Sequence, residues 1–344
     1  MLYYNKLLYY NIFMINRIQT YILALLFGFI SLISSANADV RVVASIKPIH
    51  SLVSYIMDGI GKPDVIVDGY NSPHNFSLKP SHAKMLENAD LVIWIGEDLE
   101  NFLEKPLNTI AKIAKNLEIM DLKGIKKYDF REKNIFDAHD DHKGHDDHKE
   151  HDDHKEHDDH KEHDDHKEHD DHKGHNHGEY DPHLWLDPMN AKVIIKEITK
   201  QLIKLDSTNS QVYISNSNKA LAELDNLIQN IQKDLNKDLR FVVFHDAYQY
   251  FENRFGIQVI GALTINPDIK PGAEQLSEIR EVIEHEKVNC LFSEPQFNPA
   301  IIKSIAKDTN VKTGILDPLG AKLDKGKNLY FNLLKDMSSS FKGC

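Results

Sequence analysis

The sequence lacks several features that would assign it to a common functional class. Only two of its 344 residues are cysteines, and neither belongs to a CxxC motif, so metal binding through thiolates is disfavoured. It contains no HExxH motif of metalloproteases, no GxSxG motif of hydrolases and no GxxxxGK[ST] phosphate-binding loop. A zinc-dependent hydrolase is therefore the weakest of the functions considered below.

An excess of positive charge is also absent. The formal net charge is −12. Residues 139–174 consist of six copies of a hexapeptide, HDDHK followed by Gly or Glu, whose 12 Asp, 4 Glu and 6 Lys give −10 and leave −2 for the rest of the chain. A nearly neutral remainder does not provide the basic surface that a nucleic-acid backbone requires, and we expect no nucleic-acid partner.

A single long apolar run, "YILALLFGFISLIS", stands near the N-terminus. It follows Arg17 and is followed by Ala36-Asn37-Ala38, the small-residue pattern of a signal-peptidase site. The run is short for a membrane span, which needs about 20 residues. We expect residues 1–38 to be a cleaved signal peptide, with Met14 as an alternative start; a retained anchor is the other interpretation.

Export makes the two cysteines informative. In an oxidising compartment, Cys290 and Cys344 most simply form a disulfide bond with each other.

The remaining chain alternates between apolar runs and helical segments. Runs such as "VRVVASI", "DLVIWIG" and "RFVVFHD" are continuous, which is typical of parallel strands that are covered on both faces. We predict an α/β fold of two lobes, each a mainly parallel sheet flanked by helices, joined by a long rigid helix. The predicted boundaries are an N-terminal metal-binding lobe at 39–206, a linker helix at 207–238 and a C-terminal lobe at 239–344.

Six histidines lie outside residues 139–177, and three of them follow or end predicted strands or lie in loops. His74 follows the second predicted strand, His183 lies in the loop "YDPHLWLDP", and His245 ends the strand "RFVVFHD". Ligands of open α/β sheets bind at such positions. The other three (His50, His82 and His285) fall in predicted helices and are interpreted as ordinary surface or partly buried residues. The residues alone do not show that the first three converge.

The histidine-rich insert, residues 139–177, contains no apolar residue and is expected to be disordered without metal. Each HDDH unit places two imidazoles three residues apart, with carboxylates between them. Because these ligands would have to be ordered on binding, we expect weaker, auxiliary metal sites; the alternative is a solvated acidic linker. The auxiliary ligands would be His139, His142, His145, His148, His151, His154, His157, His160, His163, His166, His169, His172, His175 and His177.

Several motifs resemble those of the metal-binding proteins of bacterial ABC importers, in particular of their zinc-specific type. The resemblance covers the whole mature chain. These motifs are "SPHNFSLKPSHAKMLENADLVIWIG", "DPHLWLDP", "FVVFHDAYQYF", "CLFSEPQFNPA" and "ILDPLG". The resemblance implies a periplasmic location in a Gram-negative bacterium and two lobes with a metal in the cleft between them. It also implies a disulfide between Cys290 and Cys344.

By motif, the metal ligands carried over from the resemblance are His74, His183 and His245. Three imidazole nitrogens suit Zn²⁺ and leave one position open. Related manganese binders carry a glutamate in place of the third histidine, so His245 favours zinc. Asp317 matches a carboxylate of the manganese group and is predicted to be the fourth ligand or to support one; a water is the other candidate. Some zinc members have a glutamate at the place of Pro73.

The expected function is high-affinity capture of zinc and its delivery to an ABC permease that works with a separate ATPase subunit. We expect a monomer, without enzymatic activity and without a membrane span once the signal peptide is removed. A manganese or mixed-metal carrier is the alternative. In a hydrolase, Asp246 or Glu294 would have to act as general base, and a role in lobe packing is favoured for both.

Overall fold

Two four-stranded parallel sheets form the framework of this computed structural model, which describes residues 14, 40–131, 133–135, 178–267 and 269–344. The predicted signal-peptide cleavage site and the histidine-rich insert lie outside the described residues. The first sheet has the order β2-β1-β3-β4 and the second the order β6-β5-β7-β8. The strands are β1 (Val42–Ile46), β2 (Asp64–Val67), β3 (Leu91–Trp94), β4 (Lys115–Glu118), β5 (Arg240–His245), β6 (Gln258–Thr264), β7 (Cys290–Ser293) and β8 (Lys312–Ile315).

Helices connect the strands and cover the sheets. They are α1 (Lys47–Ile56), α2 (Pro80–Asn88), α3 (Glu97–Thr109), α4 (Pro188–Leu205), α5 (Ser210–Asp234), α6 (Gln249–Phe255), α7 (Ala273–His285), α8 (Ala300–Thr309) and α9 (Leu329–Lys342). A short 3-10 helix, Leu184–Leu186, precedes α4. In the described part of the chain, the helices are all too short or too polar to cross a membrane.

The predicted α/β class with two parallel sheets is confirmed. Every residue of β1 and β3 is buried, as their continuous apolar sequences require in a sheet covered on both faces. From the sequence alone, "LENFLEKPLNTIAKIAKN" (99–116) predicts a helix and "LEIMDL" (117–122) predicts a strand. This boundary is wrong, because α3 ends at Thr109 and β4 already begins at Lys115. Strand β4 is at the sheet edge and half exposed, so its lysine and asparagine do not give the apolar signal of a buried strand.

The two halves of the chain are in direct contact. Asp187, which caps the N-terminus of α4 by accepting from Met189 N, also accepts two hydrogen bonds at 2.7 Å from the guanidinium group of Arg254 in α6. Helix α9 packs against α1 and α5. The contact between Asp187 and Arg254 links the helix that follows His183 to α6, the helix that follows β5. The role of residues 207–238 as a rigid linker stays a prediction, and the structure places α5 in that segment.

Lys47 provides a second link between the halves. Its side chain is 4% exposed and leaves the carboxyl end of β1 to reach a loop that follows β8. The ammonium group donates to the carbonyl oxygens of Gly320 (2.7 Å), Ala321 (3.2 Å) and Leu323 (2.7 Å). Burial lowers the pKa of Lys47, and the three carbonyl dipoles compensate for the lost hydration of the charge. The loop that carries Asp317 is thereby held against the first sheet.

Candidate metal centre

Three histidines that are far apart in the sequence converge in the structure. One ring nitrogen each of His74, His183 and His245 can be chosen so that all three lie within 4.8 Å of one another. The ring centroids are 5.2 to 5.6 Å apart. His183 and His245 are almost fully buried and His74 is half-buried. Over the described residues, this is the sole group of three or more His, Cys, Asp or Glu that is close enough to share an ion.

The fold explains why these side chains meet. His74 lies in the loop after β2, where its backbone N–H is 3.3 Å from Ser72 Oγ, and His245 is the last residue of β5. His183 immediately precedes the 3-10 helix. Ligands of open α/β sheets bind beyond the carboxyl ends of the strands, and the contact between the two halves brings both sets of side chains together.

Asp181 fixes the orientation of His183. Its Oδ1 atom accepts from the His183 backbone N at 2.9 Å and lies 2.8 Å from His183 Nδ1. The backbone carbonyl of Asp181 accepts from Tyr250 Oη at 2.7 Å, which ties this turn to helix α6. The imidazole ring therefore has one preferred rotation, with Nε2 directed away from Asp181.

Glu294 has the same relation to His245. It directly follows β7, which pairs with β5, and its Oε1 atom lies 2.6 Å from His245 Nδ1. Both side chains are 3% exposed or less. An ionised carboxylate only accepts, so when Asp181 and Glu294 are ionised Nδ1 of each histidine carries the hydrogen, and in a neutral ring Nε2 then has a free lone pair.

The two Nε2 atoms face each other. His245 Nε2 lies 3.3 Å from His183 Nε2. Two lone pairs at this distance repel unless a proton or a cation lies between them. Carboxylate–histidine pairs of this kind commonly support a metal ligand, because they fix its tautomer and make the ring more basic.

The electrostatic surroundings differ for the two rings. Burial holds the pKa of His183 well below its ordinary value, and the nearby His245 adds to the effect. Burial also acts to lower the pKa of His245, but the charge and the hydrogen bond of Glu294, together with the charges of Asp246 and Asp181, outweigh it, so the net shift is upward. Of the two rings, His245 is the one that more readily holds a proton.

A buried ionic group lies beside this pair. Arg131 donates to Asp246 Oδ1 at 3.2 Å and to Glu252 Oε2 at 2.7 Å. Burial raises the pKa of Asp246 to about 7 and that of Glu252 to about 8. Arg131 belongs to the segment that enters the histidine-rich insert, and Asn134 O accepts from Ala262 N of β6 at 2.8 Å. Asn134, which precedes the insert in the sequence, is thus bound to the second sheet.

The three histidines line a cavity of about 10 Å³, which is roughly the space that one water molecule needs. Gln296 contributes to its wall. Asp317 accepts three hydrogen bonds, from Gln296 Nε2 (2.9 Å), Leu319 N (3.2 Å) and Ala321 N (2.6 Å). It is not part of the group formed by the histidines. Its predicted place as ligand or support stays a prediction, and these bonds favour support.

The three other histidines that the structure describes have ordinary surroundings. His50 is buried, with Nε2 at 3.1 Å from Pro63 O, and His82 Nδ1 accepts from Lys79 N at the start of α2. His285 is exposed at the end of α7. The disulfide between Cys290 and Cys344 is confirmed.

Sequence reasoning missed three residues around the cavity. Asp181 and Gln296 were not singled out, and Glu294 was assigned to packing. The sequence did carry a signal for Asp181, because an Asp side chain commonly accepts a hydrogen bond from the backbone N–H two residues further along the chain, which here is that of His183. Glu294 and Gln296 carried the weaker signal of polar residues at a strand end, in "FSEPQF".

Comparison with known proteins agrees with this picture. The family model described as "Zinc-uptake complex component A periplasmic" matches residues 42–344. A high-affinity zinc uptake system protein ZnuA of Brucella abortus (strain 2308) is 47% identical over 313 residues, which cover 90% of this chain and 93% of the relative. The protein of the same name from Yersinia pestis is 35% identical over 317 residues, covering 89% and 92%.

Solved structures show the same fold. A crystal structure of ZnuA has a TM-score of 0.69 at 22% identity and covers 89% of this chain and 99% of its own. A manganese-bound periplasmic metal-binding protein from Candidatus Liberibacter asiaticus has a TM-score of 0.66 at 20% identity, covering 88% and 98%. At these identities the likeness concerns the architecture.

Proposed function

The chain belongs to the family of periplasmic zinc-uptake components, and from this premise we propose that it captures Zn²⁺ with high affinity and delivers it for import by an ABC transporter. The ligands are His74, His183 and His245. The permease and the ATPase are separate subunits, and the protein acts by binding and release, without turnover, as a monomer. Residues 1–38 direct it to the periplasm of a Gram-negative bacterium and are then removed.

One observation carries the assignment of the site. The Nε2 atoms of His183 and His245 lie 3.3 Å apart, with both Nδ1 atoms held by carboxylates. Two nitrogens bound to one tetrahedral Zn²⁺ at about 2.0–2.1 Å are separated by roughly 3.3–3.4 Å. The pair is therefore spaced as two corners of a zinc tetrahedron, and His74 is near enough to supply a third.

The chemistry of the donor set favours zinc over manganese. Three imidazole nitrogens form a borderline-soft site, whereas Mn²⁺ prefers carboxylate and water oxygens. The carboxylates of Asp181 and Glu294 are already engaged with the Nδ1 atoms of the histidines. Their negative charge still compensates for the cation from a distance.

Zinc titration by calorimetry, with and without manganese as competitor, tests the function. We expect the full chain to bind several zinc ions, one of them much more tightly than the others. Deleting residues 139–177 should remove the weak sites and keep the tight one, which manganese at tenfold excess should not displace. Another ZnuA, 22% identical to this chain, has been solved with zinc bound after a deletion numbered 138–173 in that protein. Loss of tight binding on deletion would show that the insert is the principal site.

Zinc affinity should fall as the pH decreases through the raised pKa of His245. Below that pKa a proton occupies His245 and can bridge to His183 Nε2, so zinc must displace it; above that pKa the lone pair is free. His183, whose pKa is lowered, stays neutral over this range. The expected slope is one proton, or about tenfold in affinity per pH unit. Chelator competition between pH 5 and 8.5 measures it.

Glu294→Gln provides the matched control for this pH profile. The variant keeps an oxygen that can accept from His245 Nδ1 but removes the charge that raises the pKa of His245. The decrease in affinity should then begin at lower pH. An affinity that stays constant down to pH 5 in the unsubstituted protein would contradict the proposed competition between proton and zinc.

A further inference from the structure

Gln296 has a fixed orientation at the wall of the metal cavity. Its Nε2 atom donates to Asp317 Oδ1 at 2.9 Å. Asp317 is held in turn by the backbone N–H groups of Leu319 and Ala321. Because a carboxylate only accepts hydrogen bonds, the amide nitrogen of Gln296 must face Asp317, and the amide oxygen Oε1 must face the other way.

The Oε1 atom of Gln296 is buried and accepts no hydrogen bond. A buried acceptor without a donor is costly, and such groups are rare unless a water or ligand completes them. Gln296 lines the same cavity as the three histidines. In neutral rings the Nε2 atoms of His183 and His245 are acceptors, so they do not donate to Oε1. A water molecule or ligand in this cavity is a donor that would complete the amide.

Three histidine nitrogens leave the fourth position of a tetrahedral zinc open. A water bound to a divalent cation is a strong hydrogen-bond donor, because the ion withdraws electron density from its O–H bonds. Gln296 and the three histidines line one common cavity. No carboxylate needs to enter the coordination sphere, since Asp317 is already occupied by three donors.

We infer that Gln296 positions a water molecule as the fourth ligand of the metal, accepting its hydrogen bond through Oε1, and that Asp317 acts by orienting Gln296. The inference rests on the proposed function. A neutral acceptor holds the water without adding an anionic ligand, so the fourth position stays exchangeable. This would suit a protein that must release its metal.

Gln296→Met tests the inference in the full chain, because methionine has a similar volume without the amide oxygen. The expected result is a loss of about fivefold in zinc affinity, the effect of one hydrogen bond. With one equivalent of Co²⁺ as a spectroscopic probe, azide should replace the metal-bound water several-fold more readily in the variant, seen as a change in the visible spectrum. The exposed Gln258→Met, at the start of β6, is the control and should change neither quantity.

The outcomes separate cleanly. Unchanged zinc affinity and azide binding in Gln296→Met would overturn the inference. So would azide binding to the variant but not to the unsubstituted protein, because Oε1 would then itself be the fourth ligand. A change in the unfolding temperature of the metal-free variant, with azide binding unchanged, would assign Gln296 a structural role only and also overturn it. Absence of any tight zinc or cobalt site in the unsubstituted chain would instead contradict the proposed function.

Discussion

Replacing His245 with alanine is expected to weaken zinc binding at the histidine cluster by about a thousandfold. The substitution removes one of three nitrogen ligands and leaves Glu294, which is at most 3% exposed, without the ring that donates to it. Loss of a residue that merely supports a metal ligand typically costs roughly 10–100-fold, and loss of the ligand itself should cost more. Chelator competition on the variant that also lacks residues 139–177 measures this effect without the contribution of the insert.

His285→Ala is the control for this substitution. His285 is an exposed histidine at the end of α7, outside the cluster, and its removal should leave the affinity unchanged. In the full chain, His245→Ala should retain only the weak binding of the insert. If His245→Ala keeps the tight site while deletion of residues 139–177 abolishes it, the assignment of the three histidines is wrong.

The architecture could be predicted because its signals are local. Apolar runs such as Val42–Ile46 and Leu91–Trp94 are sufficient to show buried parallel strands, and helical segments between them require two covered sheets. Strand β4 was misplaced because a strand at the edge of a sheet does not need a continuous apolar sequence. Its sequence, Lys115–Glu118, is polar, and its identity as a strand depends on pairing with β3.

The site could be predicted only in part, for a physical reason. Nothing in the sequence alone relates His74 to His245, because their proximity depends on how two separately folded sheets meet. The resemblance to importer proteins supplied that relation. The supporting residues depend on still finer geometry. Glu294 reaches His245 because β7 is the neighbour of β5, and Gln296 is oriented by Asp317 from a different loop.

The disulfide joins the first residue of β7 to the residue near the end of the chain that follows α9. Cys290 is the fully buried first residue of β7, and Cys344 follows α9, the helix that packs against α1 and α5. Phe341, near the end of α9, packs its ring against Phe241 (4.9 Å between centroids) and Phe292 (5.2 Å). The bond therefore joins the second sheet to a helix that lies on the first half of the chain.

Reducing this bond is expected to lower the free energy of unfolding by about 4 kcal/mol. The cysteines are 54 positions apart, and the chain-entropy estimate for closing a loop of that length in the unfolded chain gives this figure. Guanidinium denaturation of the oxidised and the reduced protein measures the difference. In the Cys290→Ala, Cys344→Ala double variant, the reductant should have no effect.

Zinc affinity should change little on reduction. The histidines are positioned by Asp181, Glu294 and the contact between Arg254 and Asp187, none of which needs the sulfur–sulfur bond. A large loss of affinity would show that the terminal helix sets the distance between the halves of the site. A stability loss below about 1 kcal/mol would contradict this prediction; residual structure in the reduced, unfolded chain is one way in which the bond would lose its effect.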